Sequence, residues 1–588
     1  MKLATYEKFD LKATKRVRVA SGFAMLIIAV YVSFWTMPPV AWVDDAPGLA
    51  TGPWLWHTFS VWYGAFLAQQ HSTVPGSSQL VAALTALWRI PIALGIGIEF
   101  YSRMVGCTAA SFTAWFAASA VMIRVADVVD TRKHVEGLEL QRGSNAVKSI
   151  SGFMGQEDHE PGLGISLCPG VMLSRLREIR GVLLLGAPGS GKTRIILYLL
   201  DQILAAMRRF PKRNIKLLVH DTTGEILRGL PLADNEFAAL HGHRPGGYAW
   251  AAGRDVITKT DAEALGALLA PRTQESIWEA GSGTLLAGCA VLCQHEHGTA
   301  WGIPEFYEAL LQDPAELKRR LQPIYRPAAD LIEIDKDTGG LSRTTMSFFL
   351  SFRANVLRFL RPLAENWQDI PPKRQISFRK WLDGSNRALP QVVVVQRSGR
   401  YPELSSAWIG AIVDTITAHV SDESFENSQT RRIFLCLDEL AALGRLRRFQ
   451  EALEIGRNKG VGILAAALHE IEQLQEIYGD RIAKIMVGKF RTKIICQQNL
   501  DGSTARFSEN IIGKRTIEVE RTSTTKTDGP QVKPTSTTAD EQKEVPIVRG
   551  ERLAYELGVV GNRVKAIVVG AGDPALLKWP VTVWPRRR

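Results

Sequence analysis

Cysteine is scarce: six residues scattered through 588. That is too few for a disulfide scaffold and suits a reducing compartment for the bulk of the protein. No internal repeat is present. Acidic residues are in deficit, 59 Asp and Glu against 71 Lys and Arg, for a net charge of +12. The excess suits a polyanionic partner, nucleic acid or an anionic membrane surface, without deciding between them. Apolar residues make up 46% and charged ones 22%, which excludes a disordered or collagen-like chain. Mean hydropathy is −0.02, high for a purely soluble protein and low for one wholly in lipid. A membrane portion joined to a soluble one is the simplest reading, and the length predicts about three or four domains.

Charge is missing altogether from Val19 to Val43, a run long enough to cross a bilayer core at about 1.5 Å per residue. It is too long for the apolar region of a signal peptide. Lys2, Lys8, Lys12, Lys15, Arg16 and Arg18 precede it, so the positive-inside rule puts the N-terminus in the cytoplasm. Leu80–Ile98 is apolar but carries Arg89, a costly residue in lipid. Met104–Ile123 is uncharged and ends against Arg124, Arg132 and Lys133. Residues 1–130 therefore read as a multi-pass membrane anchor. A cytoplasmic soluble portion requires an even number of spans, two (19–43 and 104–123) or four.

After Val135 short β-rich apolar runs alternate with helical periodicity: Val182–Leu185, Leu217–Val219, Val392–Val395, Ile433–Leu437, Ile463–Ala467, Ile494–Cys496 and Ile567–Val569. Such alternation predicts an α/β domain with a mainly parallel sheet covered on both faces. Arg521–Glu544 differs, with Thr, Ser, Lys, two prolines and almost no apolar residue; its composition predicts a flexible surface loop over 521–544.

The sharpest signal is Gly186-Ala187-Pro188-Gly189-Ser190-Gly191-Lys192-Thr193, which fills the P-loop pattern G-x-x-x-x-G-K-[ST] between a strand and a helix. Its backbone N–H groups are expected to curl around the phosphates of ATP, with Lys192 reaching the β- and γ-phosphates and Thr193 ligating Mg²⁺. The run Ile433–Leu437 ends in Asp438-Glu439. A buried strand delivering two carboxylates at its C-terminal end suits Asp438 for the Mg²⁺ shell and Glu439 for the attacking water.

Lys192 and Asp438 lie far apart in the chain, so something is inserted. Helical periodicity over Asp261–Leu269, Ser276–Glu296, Pro304–Leu311 and Thr344–Leu363 predicts a separate all-α domain over 261–366, between a first part of the nucleotide-binding domain (131–260) and a second (367–588). The insert is basic from Lys318 onward, which reads equally as a solvated face or a DNA contact. Cys289, Cys293, His295 and His297 resemble metal ligands but lack a second pair at zinc-ribbon spacing. The terminal Pro585-Arg586-Arg587-Arg588 reads as a solvated basic tail.

In order along the chain, an anchor, the P-loop, His220-Asp221-Thr222-Thr223-Gly224-Glu225, a helical insert, Leu437-Asp438-Glu439, Gly456-Arg457-Asn458-Lys459-Gly460-Val461 and Gln473-Leu474 followed by Tyr478-Gly479 resemble the coupling proteins of type IV secretion and conjugation systems, the TraG/TraD group. Thr223 stands where that family has a lysine. The resemblance implies a RecA-like motor domain with an all-α insertion, assembling as a hexamer at the bacterial inner membrane with its ATPase domain cytoplasmic. It implies an ATP- and Mg²⁺-dependent enzyme that brings a relaxase-bound single DNA strand to the channel components of the secretion system. By the same resemblance Arg457 reaches the neighbouring subunit's nucleotide, and His469 takes the place of a glutamine that senses the γ-phosphate. A receptor for protein effectors is the alternative; an FtsK-type chromosome translocase is a further one.

Overall fold

A computed structural model describes residues 133–587, apart from 159–161, 271–275, 336–339, 385–388, 501 and 526–534, together with residue 109. Of two compact units, Met1–Arg132 and Lys133–Arg588, only the second is described at length. The expected spans 19–43, 80–98 and 104–123 lie outside the described residues, residue 109 apart. Among the described residues no helix is long and apolar enough to cross a membrane.

The second unit is built on a ten-stranded sheet. Seven strands run parallel: β1 (Val182–Leu185), β2 (Lys216–Asp221), β3 (Phe237–Leu240), β4 (Val392–Gln396), β5 (Ile433–Leu437), β6 (Val461–Leu468) and β7 (Thr492–Ile495). Their spatial order is β7-β1-β6-β5-β2-β4-β3. Three further strands, β8 (Gly558–Val560), β9 (Arg563–Val569) and β10 (Ala575–Pro580), extend it antiparallel, β9 pairing with β7, β8 and β10. Every residue of β1, β2, β5 and β6 is buried. Their apolar runs are continuous because both faces of the sheet are covered.

On one face pack the helix Lys192–Arg209, through Ile195, Ile196, Leu199, Leu200 and Ile203, and the neighbouring chain around Ile150 and Leu167. The other face carries the helix Pro402–Ser421 and the insert. The insert's helices include Lys259–Leu269, Ser276–His297, Ile303–Leu311, Pro314–Leu321, Arg343–Phe352 and Arg358–Trp367. Leu285, Phe306 and Leu363 belong to one continuous apolar cluster with Leu183, Leu185 and Leu218 of the sheet. The helices expected over 261–366 thus pack directly on the sheet. The insert's two ends meet in a short parallel ladder, Ala249 with Gln375 and Trp250 with Ile376.

The expected loop over 521–544 is instead mostly strand. Lys514–Thr525 and Thr535–Pro546 pair antiparallel, from Lys514 with Pro546 to Thr525 with Thr535, and Lys133–Gly137 adds a third strand. The segment is short of apolar residues but rich in β-branched ones, Thr516, Ile517, Val519, Thr522, Thr524 and Thr525. These suit a pleated ribbon, and main-chain pairing needs no apolar face.

Candidate nucleotide-binding site

The sheet order sets β6 between the P-loop strand β1 and the carboxylate strand β5, with β2 beyond. All four end at the same edge, so whatever follows each strand converges there. After β1 the chain turns through the P-loop with Gly189 and Gly191 at φ of +77° and +94°, a region that glycine adopts freely. A Cβ on Gly191 would stand 2.7 Å from Val564 of β9. One on Gly189 would meet nothing within 4 Å, leaving the loop's crest open. The loop is pinned from behind, Ala187 N donating to Gln497 O at 2.8 Å and Gly186 N to Leu468 O at 3.2 Å. Inside it the Ser190 hydroxyl is buried without a hydrogen-bond partner.

Lys192 opens the helix Lys192–Arg209 and is 6% exposed. Its ammonium donates to the loop carbonyls of Gly186 and Ala187, the latter at 3.0 Å, and lies 2.8 Å from Nδ1 of His469. Burial pulls the Lys192 pKa down to about 8, against the opposing pull of Cys496, Asp438 and Glu439. His469 directly follows the last residue of β6, between the P-loop and the carboxylates. Burial lowers its pKa and the Lys192 charge lowers it further, so Nδ1 of the neutral ring accepts from the ammonium. Thr193, next along the helix, is half-buried at the same edge.

At the end of β5, Asp438 is buried and Glu439 half-buried. Burial raises the Asp438 pKa, and the hydrogen bonds from Thr222 oppose the rise. The Thr222 hydroxyl donates to Asp438 Oδ2. The parallel pair β5–β2 sets Leu437 beside His220, so Asp438 comes level with Asp221 and within reach of Thr222, the next residue. Asp221 is structural. Its carboxylate accepts from Gly224 N and Leu227 N, both at 2.8 Å, closing the turn after β2.

A family model of the type IV secretion-system coupling protein DNA-binding domain matches residues 166–559. The chain belongs to this family. Solved structures of the conjugative coupling protein TrwB share its fold. The unbound TrwB lacking its first 70 residues is 17% identical, with a TM-score of 0.59, over 78% of this chain and 95% of that one. TrwB with ADP and Mg²⁺ is 18% identical, TM-score 0.58, over 78% and 96%. TrwB with a non-hydrolysable GTP analogue is 19% identical, TM-score 0.59, over 79% and 98%. No curated protein sequence matches the chain.

In this coupling protein Lys192, Thr193, Asp438, Glu439 and His469 come together at one edge; Arg457 does not join them. It is exposed, in the turn Gly456–Lys459 that precedes β6. The eight residues of β6 hold it about 26 Å from the P-loop end at ~3.3 Å per residue. Thr222 went unrecognised as a site residue because nothing marks it except its place after β2. The basic tail is not simply solvated either. Arg587 N donates to Arg228 O at 2.8 Å, its guanidinium pairs with Asp234 and lies 4.6 Å from the Phe237 ring centroid, and Trp584 donates to Asp201 at 2.8 Å on the P-loop helix.

Proposed function

We propose that this coupling protein hydrolyses ATP to recruit a relaxase-bound single strand of DNA and pump it to the channel of a type IV secretion system. It works as a hexamer at the inner membrane, anchored by residues 1–130, with the ATPase domain in the cytoplasm. One observation carries the chemistry: a buried Lys192 ammonium held only by neutral carbonyls and His469, in the field of Asp438 and Glu439. With the unpartnered Ser190 hydroxyl and the open crest at Gly189, this donor set fits triphosphate oxygens. The hydroxyl of Thr193 and the carboxylate of Asp438 fit a divalent cation. Mg²⁺, when bound, would neutralise phosphate charge there.

The chain's own parts then divide the work. Backbone N–H groups from Gly189 to Thr193 cradle the phosphates, and Lys192 exchanges its carbonyl partners for β- and γ-oxygens. Thr193 and Asp438 hold the cation, with Thr222 fixing the Asp438 carboxylate. Glu439 orients the attacking water and accepts its proton. His469, 2.8 Å from the Lys192 ammonium, would stand close to the γ-phosphate. The nucleotide-bound TrwB structures and the DNA-binding description of the matched family support the reading, as does the net charge of +12.

Two variants of the full-length protein test the chemistry. Lys192→Ala should lose ATP hydrolysis and bind nucleotide more weakly. Glu439→Gln should bind ATP yet turn over about 10²–10⁴-fold more slowly, the range for a lost general base. Wild-type turnover in either would sink the assignment. Single-stranded DNA should bind without sequence preference and weaken steeply with salt, as phosphate neutralisation releases counterions; a flat salt response would favour the protein-effector receptor. Reporters fused after residues 10 and 140 should both report cytoplasm, and a periplasmic signal at 140 would refute the topology.

A further inference from the structure

The edge of the sheet opposite the nucleotide site holds a cleft of about 770 Å³ where β2 and β5 begin. Six cations line it, Arg175, Lys212, Arg213, Lys216, Arg431 and Arg432, against one lining carboxylate, Asp383. We infer that this cleft binds phosphate groups of the DNA strand. The inference rests on the DNA-handling function proposed above and adds a location and named residues.

The argument turns on how these charges are held. Lys216 is 5% exposed and donates to the main-chain carbonyls of Trp381 and Leu382. Those carbonyls reach it because Gly384 ends their helix in a left-handed turn, where a Cβ would stand 2.9 Å from Asn214 Nδ2 and 3.3 Å from Lys216 Nζ. Arg431 donates to the carbonyls of Glu426 and Lys459, and Arg432 to those of Gln429 and Arg431. Carbonyls orient a cation without neutralising it. The Asp383 carboxylate is engaged by His419 at 2.9 Å. Glu178 lies 3.8 Å from Arg432 and Asp158 3.3 Å from Arg175, which leaves the lining cations in excess of the acids around them. Burial lowers the pKa of Lys216 to about 8 and lowers those of Arg431 and Arg432, with Asp383, Glu426 and Glu178 opposing the fall.

Several cations spread along an open rim match the repeating charge of a nucleic-acid backbone. Lys212, Arg213, Gln429 and Thr430 are exposed there, so a strand can reach the rim. Placement adds a consequence. β2 runs from Lys216 in the cleft to Asp221 beside Thr222, and β5 from Ile433 in the cleft to Leu437 beside Asp438. Two rigid strands thus join the cleft directly to the carboxylates of the nucleotide site.

The test is the salt dependence of single-stranded DNA binding by the full-length protein, measured by fluorescence anisotropy. Lys212→Ala/Arg213→Ala removes two exposed cations. The slope of log affinity against log salt should become shallower by about 1.4, at ~0.7 per lost single-strand phosphate contact, with a loss equal across sequences. Gln429→Glu/Thr430→Glu adds two carboxylates to the same wall and should also weaken binding. Retained binding of a fluorescent ATP analogue reports that both variants fold. If wild type binds DNA and both variants match it in affinity and slope, the cleft is wrong while the proposed function stands. If wild type binds no DNA, the function fails first and the cleft with it. If the variants keep DNA binding but lose a second equivalent of free nucleotide, the phosphate comes from nucleotide rather than a strand, and the inference is overturned.

Discussion

Lys192 shows how much one side chain can report. Its folded pKa of about 8 lies below the ~10.4 of a free lysine, so the nucleotide-free protein binds fewer protons than the unfolded chain between those values. Stability therefore rises with pH across that window. Phosphate oxygens favour the charged form, so above pH 8 nucleotide binding must take up a proton. Affinity should fall by up to about tenfold per pH unit there, measured by titration with a fluorescent ATP analogue. The weaker binding of Lys192→Ala should lack that decline, and an equal decline in the variant would remove Lys192 as its source. The P-loop, Asp438 and Glu439 were legible in the sequence because contiguous letters carry their chemistry. Thr222 was not, because its role comes from the register of β5 on β2. His469 was placed only by resemblance, and its contact with Lys192 depends on β6 lying between β1 and β5.

At the scale of elements, long fully buried strands announced themselves and marginal ones did not. β3 reads Phe-Ala-Ala-Leu, as suited to a helix as to a strand, β8 has three residues, and β10 carries Lys578 and ends at Pro580. The hairpin 514–546 was hidden by its polarity. The insert's helices were legible from periodicity, but their packing against the sheet was not, since periodicity marks an apolar face without naming what covers it. What ties the insert down is Asp255, 2% exposed. It accepts from Trp250 Nε1 at 2.7 Å, Ser377 Oγ at 2.6 Å, Phe378 N at 2.9 Å and Arg379 N at 3.1 Å, which clasps both ends of the insert. Asp255→Ala strands these donors and should cost about 3–5 kcal/mol. Because the core is continuous, the urea midpoints from tryptophan fluorescence and far-UV circular dichroism should shift together. An insert that melts in a separate earlier step would contradict that continuity.

At the scale of the whole molecule the decisive residue is the one that does not join its own site. Arg457 is exposed at the far edge of the sheet, about 26 Å of strand from the P-loop at ~3.3 Å per residue. In the proposed hexamer it would complete the nucleotide site of the next subunit. An arginine supplied in trans is worth on the order of 10³–10⁵ in rate in P-loop enzymes that use one. Arg457→Ala should then fold and bind ATP but hardly hydrolyse it, while Lys192→Ala is inactive for want of its phosphate contact. Mixed rings separate these defects. Where a subunit with an intact P-loop and no Arg457 meets one with a defective P-loop and an intact Arg457, their shared interface holds one complete site. Mixing the two inactive variants should therefore restore part of the ATPase activity, and only at concentrations where subunits assemble. Mass measurement of the mixture shows whether both variants share a ring. Mixed rings without activity would mean that Arg457 acts within its own subunit or not at all.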